Sequence, residues 1–327
     1  MTSDLKKVEL HLHLEGAAPP SFIRGLASEK NVDLLDIFDE NGSYKYEDFW
    51  DFLKVYEAAT SVLQTPEDFG RLTQAVLEES AKSNVVYSEV FLSPDFCGER
   101  DVGAWKEYLA AIQEAANQAE RSDGIVLRGI ITCIRHFGPD LAKETAICAA
   151  ETAGDWIVGF GIGGDEKVGA PKDFSWSFDC AREAGLRLTA HAGEWGGPES
   201  VQAVVDDLGV ERVGHGVRAI EDPALVEKLA ERGIVLETCP GSNVVLNVYS
   251  TWENHPVDRL REAGCIVTVS TDDPPFFHTT MNREYQMLAD TFGWDDDAFR
   301  ALARTSMDAA FCDASTKENL QKVLEAE

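Results

Sequence analysis

Eight short apolar or β-branched runs, most of them separated by stretches with helical periodicity, constrain this chain more than any other feature. They cover 8–14, 85–92, 126–134, 157–162, 187–192, 212–217, 234–239 and 266–270. Between them, stretches such as 223–232 and 256–263 repeat apolar residues at helical spacing. Gly185, Gly233 and Gly264 stand one or two residues before the next run, where a helix end favours a left-handed residue. Eight β-α units predict parallel strands joined by crossover helices and closed on themselves, an α/β fold of the (β/α)8 TIM-barrel type. A length of 327 residues suits one such domain spanning 1–327.

The longest connection, 15–84, has helical patterns at 20–29, 46–57 and 66–82. Phe49, Phe52, Leu53 and Tyr56 follow i, i+3, i+4, i+7 spacing, either a stripe packed on the barrel or the face of a lid. The segment at about 43–66 is therefore expected to be a helical lid insertion. Beyond the last run, 282–292, 296–307 and 315–326 read as closing helices.

No stretch approaches the eighteen apolar residues of a membrane span, and the N-terminus MTSDLKKVEL has no signal-like apolar core. A cytoplasmic protein with no membrane partner is expected. The seven cysteines are scattered without a C-x-x-C pair, which argues against a disulfide framework and against a thiolate zinc site. A formal charge of −29 repels phosphate backbones, so nucleic acid is an unsuitable partner and a small molecule the expected one. Whether the chain forms a homo-oligomer is left open.

In such barrels catalytic groups stand at the C-terminal ends of strands. His11, His13, Glu89, His136, Asp165, Glu166, His191, Glu194, His215, Glu237, Asp272 and Asp273 are all expected at or just past these ends. Residues two apart on a strand share a face, so His11 and His13 can aim both imidazoles at one divalent ion. His191 would add a third nitrogen and Asp272 a hard oxygen, leaving one position for water. This donor set suits one Zn2+ per chain best, although Fe2+, Co2+ and Mn2+ accept the same ligands.

Glu194, three residues after His191, is a candidate general acid/base, or else a first-turn glutamate meeting backbone donors. Asp273 would point differently from Asp272 and accept a hydrogen bond from bound water or a substrate ring N–H. His215, between two glycines, could orient an attacking hydroxide, act as a fourth imidazole ligand or be a satisfied rim histidine. Gly164 in G-G-D-E permits close backbone approach to a ligand. Gly159-x-Gly161-x-Gly163 looks like part of a dinucleotide fingerprint, but no βαβ unit opens the chain with it and it is set aside.

In order, HLHLEGA, VVYSEV, GGDE, HAGE, GHG, CPGSNVVL and STDDP resemble the adenosine deaminase family of the amidohydrolase superfamily, from about residue 8 to residue 277. The resemblance implies zinc ligands at His11, His13, His191 and Asp272, a proton-shuttling Glu194, a water-orienting His215 and a second aspartate at Asp273. It also implies substrate contacts from His13, Glu15, Asp273 and the N–H of Gly164. The implied reaction is zinc-dependent hydrolysis at C6 of an adenine ring, converting adenosine or 2′-deoxyadenosine to inosine or 2′-deoxyinosine plus ammonia, a purine-salvage step. Free adenine, an N6-substituted adenine or aminodeoxyfutalosine is the alternative substrate; AMP lacks a basic cluster to receive its phosphate.

Departures from the family pattern bear on that choice. Glu15 stands where adenosine enzymes have aspartate, and Phe91 where they usually have arginine; both are closer to the free-base branch. Thr271 matches the adenosine enzymes instead. Gly161 and Gly241 replace larger residues. The expectation leans to adenosine.

Overall fold

The eight runs fold as eight parallel strands in a computed structural model that describes residues 2–326. They are β1 (Lys7–His13), β2 (Val85–Leu92), β3 (Val126–Ile134), β4 (Ile157–Gly163), β5 (Arg187–Ala192), β6 (Arg212–His215), β7 (Val235–Thr238) and β8 (Ile266–Val269). Their spatial order is their chain order. Just past β8, Leu12 bridges Asp272: His13 N donates to Asp272 O at 3.0 Å and Asp272 N to His11 O at 3.2 Å. This seam brings the last strand back to the first in a (β/α)8 TIM-type barrel.

Helices Pro20–Lys30, Phe49–Thr60 and Pro66–Lys82 occupy the connection after β1, and Met281–Phe292, Asp296–Ala309 and Ala314–Glu325 follow β8. The helix expected over 46–57 starts later because Asp48 caps it, its carboxylate accepting from Asp51 N at 2.9 Å. Thr65 and Asp68 form a reciprocal capping box that fixes the start of the next helix. β6 ends two residues before expectation because His215 and Gly216 take φ of 62° and 66°, left-handed values that a strand does not continue through. No helix among the described residues is long and apolar enough to cross a membrane.

The glycine column of β4 has a packing role. A Cβ on Gly159 would lie 2.8 Å from Phe311, and one on Gly161 3.1 Å from Thr189. The bare backbone lets Phe311 pack with Phe91, Ile130 and Val158.

Glu89 and Glu237, expected at the rim, instead lie within β2 and β7, fully buried beside Arg212 of β6. Arg212 pairs with Glu89 Oε2 at 2.7 Å and Glu237 Oε1 at 2.5 Å, and its guanidinium lies 3.6 Å from the centre of the Phe311 ring. Glu89 also accepts from Tyr87 Oη at 2.6 Å and Phe311 N at 2.5 Å. Two buried carboxylates facing one guanidinium depend on it, because removing one partner of a buried ion pair leaves an uncompensated charge. Arg212→Met is accordingly expected to lower unfolding free energy by about 3–5 kcal/mol in a denaturant titration. A loss under about 1 kcal/mol would show that the carboxylates do not rely on that charge.

Candidate active site and metal centre

The seam between β1 and β8 decides where the first side chains go. His11 and His13, two residues apart, both turn toward Asp272, with Nε2 to Oδ1 distances of 3.4 and 3.3 Å. His191, next to last in β5, brings its Nε2 to 3.2 Å from His13 Nε2. Ligand atoms of His11, His13, His191 and Asp272 all lie within 4.8 Å of one another. The four residues expected to gather do gather.

Their other atoms are held from behind. His11 Nδ1 meets Glu237 Oε2 at 2.9 Å, and His191 Nδ1 meets the Ile162 carbonyl oxygen at 2.9 Å. Both acceptors keep a proton on Nδ1 and leave Nε2 as a lone-pair donor, the usual arrangement behind metal-bound imidazoles. His11 Nε2 is buried without a hydrogen-bond partner. Ser242 Oγ donates to Asp272 Oδ2 at 2.7 Å, which leaves Oδ1 facing the imidazoles. An orphaned buried nitrogen, two further imidazoles and a carboxylate fit a divalent cation. A second grouping, His215, Cys239 and Asp272, shares Asp272 with the first. Burial pushes the Cys239 thiol well up, so it stays protonated and is a poor ligand.

Phe91 forms an apolar backing for this cluster, its ring 4.7 Å from His11, 4.9 Å from His13 and 5.3 Å from His191. Above lies a cavity of about 100 Å3 lined by His13, Gly164, Glu194, His215, Asp272 and Asp273. Phe49, Leu53 and Tyr56 also line it, whereas Val55 of the same helix is core. The helix over 49–60 thus turns one face to the core and another to the cavity. Glu15 is buried and is not among the lining residues; its Oε1 has no partner and burial raises its carboxyl to about 7.

Three carboxyls around the cavity have divergent environments. Burial would raise Asp272, but the neighbouring imidazoles of His11 and His13 outweigh it and hold it well below its ordinary value. Burial, reinforced by the charge of Asp272, pushes both Glu194 and Asp273 well up. Asp273 has a tight setting: a Cβ on Gly16 would fall 1.5 Å from its Oδ1, so only glycine fits there. Burial also lowers His215 to about 4, so this ring is neutral near pH 7.

Glu166, singled out only for its rim position, clamps the turn that bears Glu194. It accepts from Gly193 N at 2.6 Å, Glu194 N at 3.2 Å, Trp195 N at 2.8 Å and Gly196 N at 3.0 Å, and also from Ser200 Oγ. Burial opposes its charge, but these donors overcome the penalty and lower its value. Sequence reasoning missed this role, and it gave Asn243 and His255 none. Their only signal was the string CPGSN and a histidine outside the rim pattern.

A sequence model described as adenosine deaminase matches residues 6–326. An adenine deaminase of Rhizobium rhizogenes is 46% identical over 320 residues, covering 98% of this chain and 99% of its own. Among solved structures, the adenine deaminase of Arthrobacter aurescens superposes with a TM-score of 0.90 at 30% identity, covering 98% of each chain. An amidohydrolase of Burkholderia ambifaria with bound Zn gives 0.85 at 27% identity, covering 99% of this chain and 91% of its own.

Asp272 is the one oxygen donor among the four grouped residues. Asp272→Ala, purified and analysed by plasma emission, is expected to hold much less than one divalent ion per chain. A variant that keeps a full metal complement would remove Asp272 from the ligand set.

Proposed function

From the premise that the chain belongs to the adenosine deaminase family, we propose that it hydrolyses free adenine to hypoxanthine and ammonia, using one zinc ion. It is an aminohydrolase acting on the C6 amino group of a purine, and the finer assignment concerns the substrate. The observation that carries adenine is the name borne by a relative 46% identical over nearly the full length of both chains. Sequence reasoning leaned to adenosine partly on Thr271. That residue is 2% exposed and donates to Glu9 Oε1 from both N, at 3.0 Å, and Oγ1, at 2.6 Å. It is occupied with the barrel wall, so its identity is a weak guide to substrate. Glu15, standing where adenosine enzymes have aspartate, is the position that favours the free base, and it is buried with an unpartnered oxygen.

His11, His13, His191 and Asp272 would hold the cation. A divalent ion there supplies a Lewis acid able to lower the pKa of water from about 16 to about 7. The remaining work falls to the protein. Glu194 Oε1 accepts from Asn243 Nδ2 at 3.3 Å, which leaves Oε2 to carry the acid proton kept there by burial and the Asp272 charge. That proton goes to ring nitrogen N1 as water adds at C6. His215 orients the incoming oxygen, and Asp273 with the Gly164 backbone holds the ring edge. Deprotonated Glu194 takes a proton from that water, returns it to the amino nitrogen as the C6–N bond breaks, and recovers one from the C6 hydroxyl, so ammonia leaves and the 6-oxo purine remains. The aromatic face of the 43–66 segment acts as a lid that excludes bulk water, which strengthens each of these polar contacts.

The test is an ultraviolet assay of the zinc-loaded protein with adenine, adenosine, 2′-deoxyadenosine and aminodeoxyfutalosine. Adenine is expected to have the highest kcat/KM, by about a hundredfold or more over adenosine. A higher value for adenosine would overturn the assignment. Because Glu194 must be protonated, turnover is expected to be present below its raised pKa and lost as pH rises through it. Glu194→Gln should retain zinc and lose about two to four orders of magnitude in kcat. Normal turnover in that variant would remove Glu194 from the mechanism.

A further inference from the structure

We infer that Asn243 and His255 are positioning residues that fix the tautomer of His215, placing its proton on Nε2, the nitrogen nearer Glu194 Oε2 and Asp272. The inference rests on the reading that His215 orients the reacting oxygen. It begins at a donor whose polarity cannot be reversed. Val257 opens the helix Val257–Glu262, and its backbone N–H points at His255 Nδ1 at 3.3 Å. First-turn amides of a helix have no partner within it, and Pro256 has no N–H to offer. His255 Nδ1 is therefore the acceptor. Burial lowers this imidazole to about 3, so it is neutral, and its one proton sits on Nε2.

Each further link follows from the one before. His255 Nε2 lies 3.2 Å from Asn243 Oδ1, so the amide oxygen faces His255. The NH2 group must then face the other way. It finds two acceptors, His215 Nδ1 at 3.2 Å and Glu194 Oε1 at 3.3 Å, one for each N–H. His215 Nδ1 thus accepts, and the neutral ring carries its proton on Nε2. That nitrogen is 3.8 Å from Glu194 Oε2 and 3.9 Å from Asp272 Oδ2. Asn243 is fully buried, and His215 and His255 are each 1% exposed, so no bulk water competes for these bonds.

The consequence is chemical. A neutral His215 with its proton on Nε2 offers a donor to an oxygen in the cavity and cannot take a proton from it at that nitrogen. The opposite tautomer would present a lone pair to the same place. One amide therefore contacts both the acid and the orienting imidazole, and ties the state of each to the other.

The experiment is two-bond proton–nitrogen correlation NMR of the zinc-loaded protein carrying 15N-labelled histidine, with His215 assigned from the spectrum of His215→Asn. The expected spectrum has His215 protonated at Nε2 and bare at Nδ1; protonation at Nδ1 would overturn the proposal. Asn243→Asp offers only acceptors, and is expected to move the proton to Nδ1. It should also lower kcat about a hundredfold or more with KM and zinc content little changed. An unchanged tautomer in folded Asn243→Asp would count against the relay. His255→Gln retains an N–H donor for Asn243 and should restore most of the turnover lost in His255→Phe; equal loss in both would remove His255 from the chain. The wild-type spectrum needs no substrate. An inactive protein with the Nε2 proton would defeat the deaminase reading alone, and an active one with the Nδ1 proton would defeat this inference alone.

Discussion

The pairing that closes the barrel also assembles the candidate metal centre. Leu12 and Asp272 meet across the seam, and the two backbone bonds that join them come from the residues bearing three of the four gathered donors. Those donors therefore come together only when the last strand reaches the first. Asp272 takes a φ of 66°, uncommon for a non-glycine residue and a source of local strain of about 1–3 kcal/mol. The strain persists because the residue is held from every side. Its N–H and C=O are spent on β1, Oδ2 on Ser242, and Oδ1 on the imidazoles. His215, also at the rim, takes a φ of 62°.

From the seam a line of charge runs down the barrel axis: Asp272 to His11, His11 to Glu237, Glu237 to Arg212, Arg212 to Glu89. Signs alternate if His11 binds a proton or a cation, and in the absence of metal the carboxylates on both sides raise His11 to about 9 against the penalty of burial. A cation at Nε2 would serve the same carboxylates as that proton does. Arg212 thus does more than hold the barrel floor. It keeps Glu237 ionised, and Glu237 keeps the proton on His11 Nδ1 that frees Nε2. Stability and site geometry depend on the same buried charges, so mutations here are not expected to separate them.

The alternation of runs was enough to place all eight strands, because a buried parallel strand needs only a short apolar stretch and its partner order follows chain order. β2, β3 and β5 match their expected bounds without a residue's difference. The gathering of His11, His13, His191 and Asp272 was legible for a related reason: strand ends share one rim, so polar residues there are brought together by topology alone. Glu89 and Glu237 show where that logic fails. They sit inside strands, and only the folded barrel reveals that they face Arg212. The clamping role of Glu166 and the roles of Asn243 and His255 escaped notice because their importance lies in which atoms they touch. A carboxylate that collects four amide donors has no mark in sequence, and neither has an amide whose two ends read two histidines.

Several residues that distinguish members of the family face protein rather than substrate here. Thr271 is bonded to Glu9, and Phe91 packs under the imidazoles. At Gly241 a Cβ would fall 2.1 Å from Glu284 Oε1, so that glycine answers to a buried carboxylate. These positions answer to the packing of neighbouring walls, and a substrate preference inferred from them inherits that ambiguity. The cavity itself is bounded by Glu194, His215, Asp272 and Asp273 of the rim on one side and by Phe49, Leu53 and Tyr56 on the other. All three come from the connection after β1, which also begins with Glu15. On the proposed reading the rim would act at C6, where adenine, adenosine and 2′-deoxyadenosine are alike. Discrimination among derivatives must act at the opposite edge of the purine, and in this barrel the first connection is the part free to differ there without disturbing the seam.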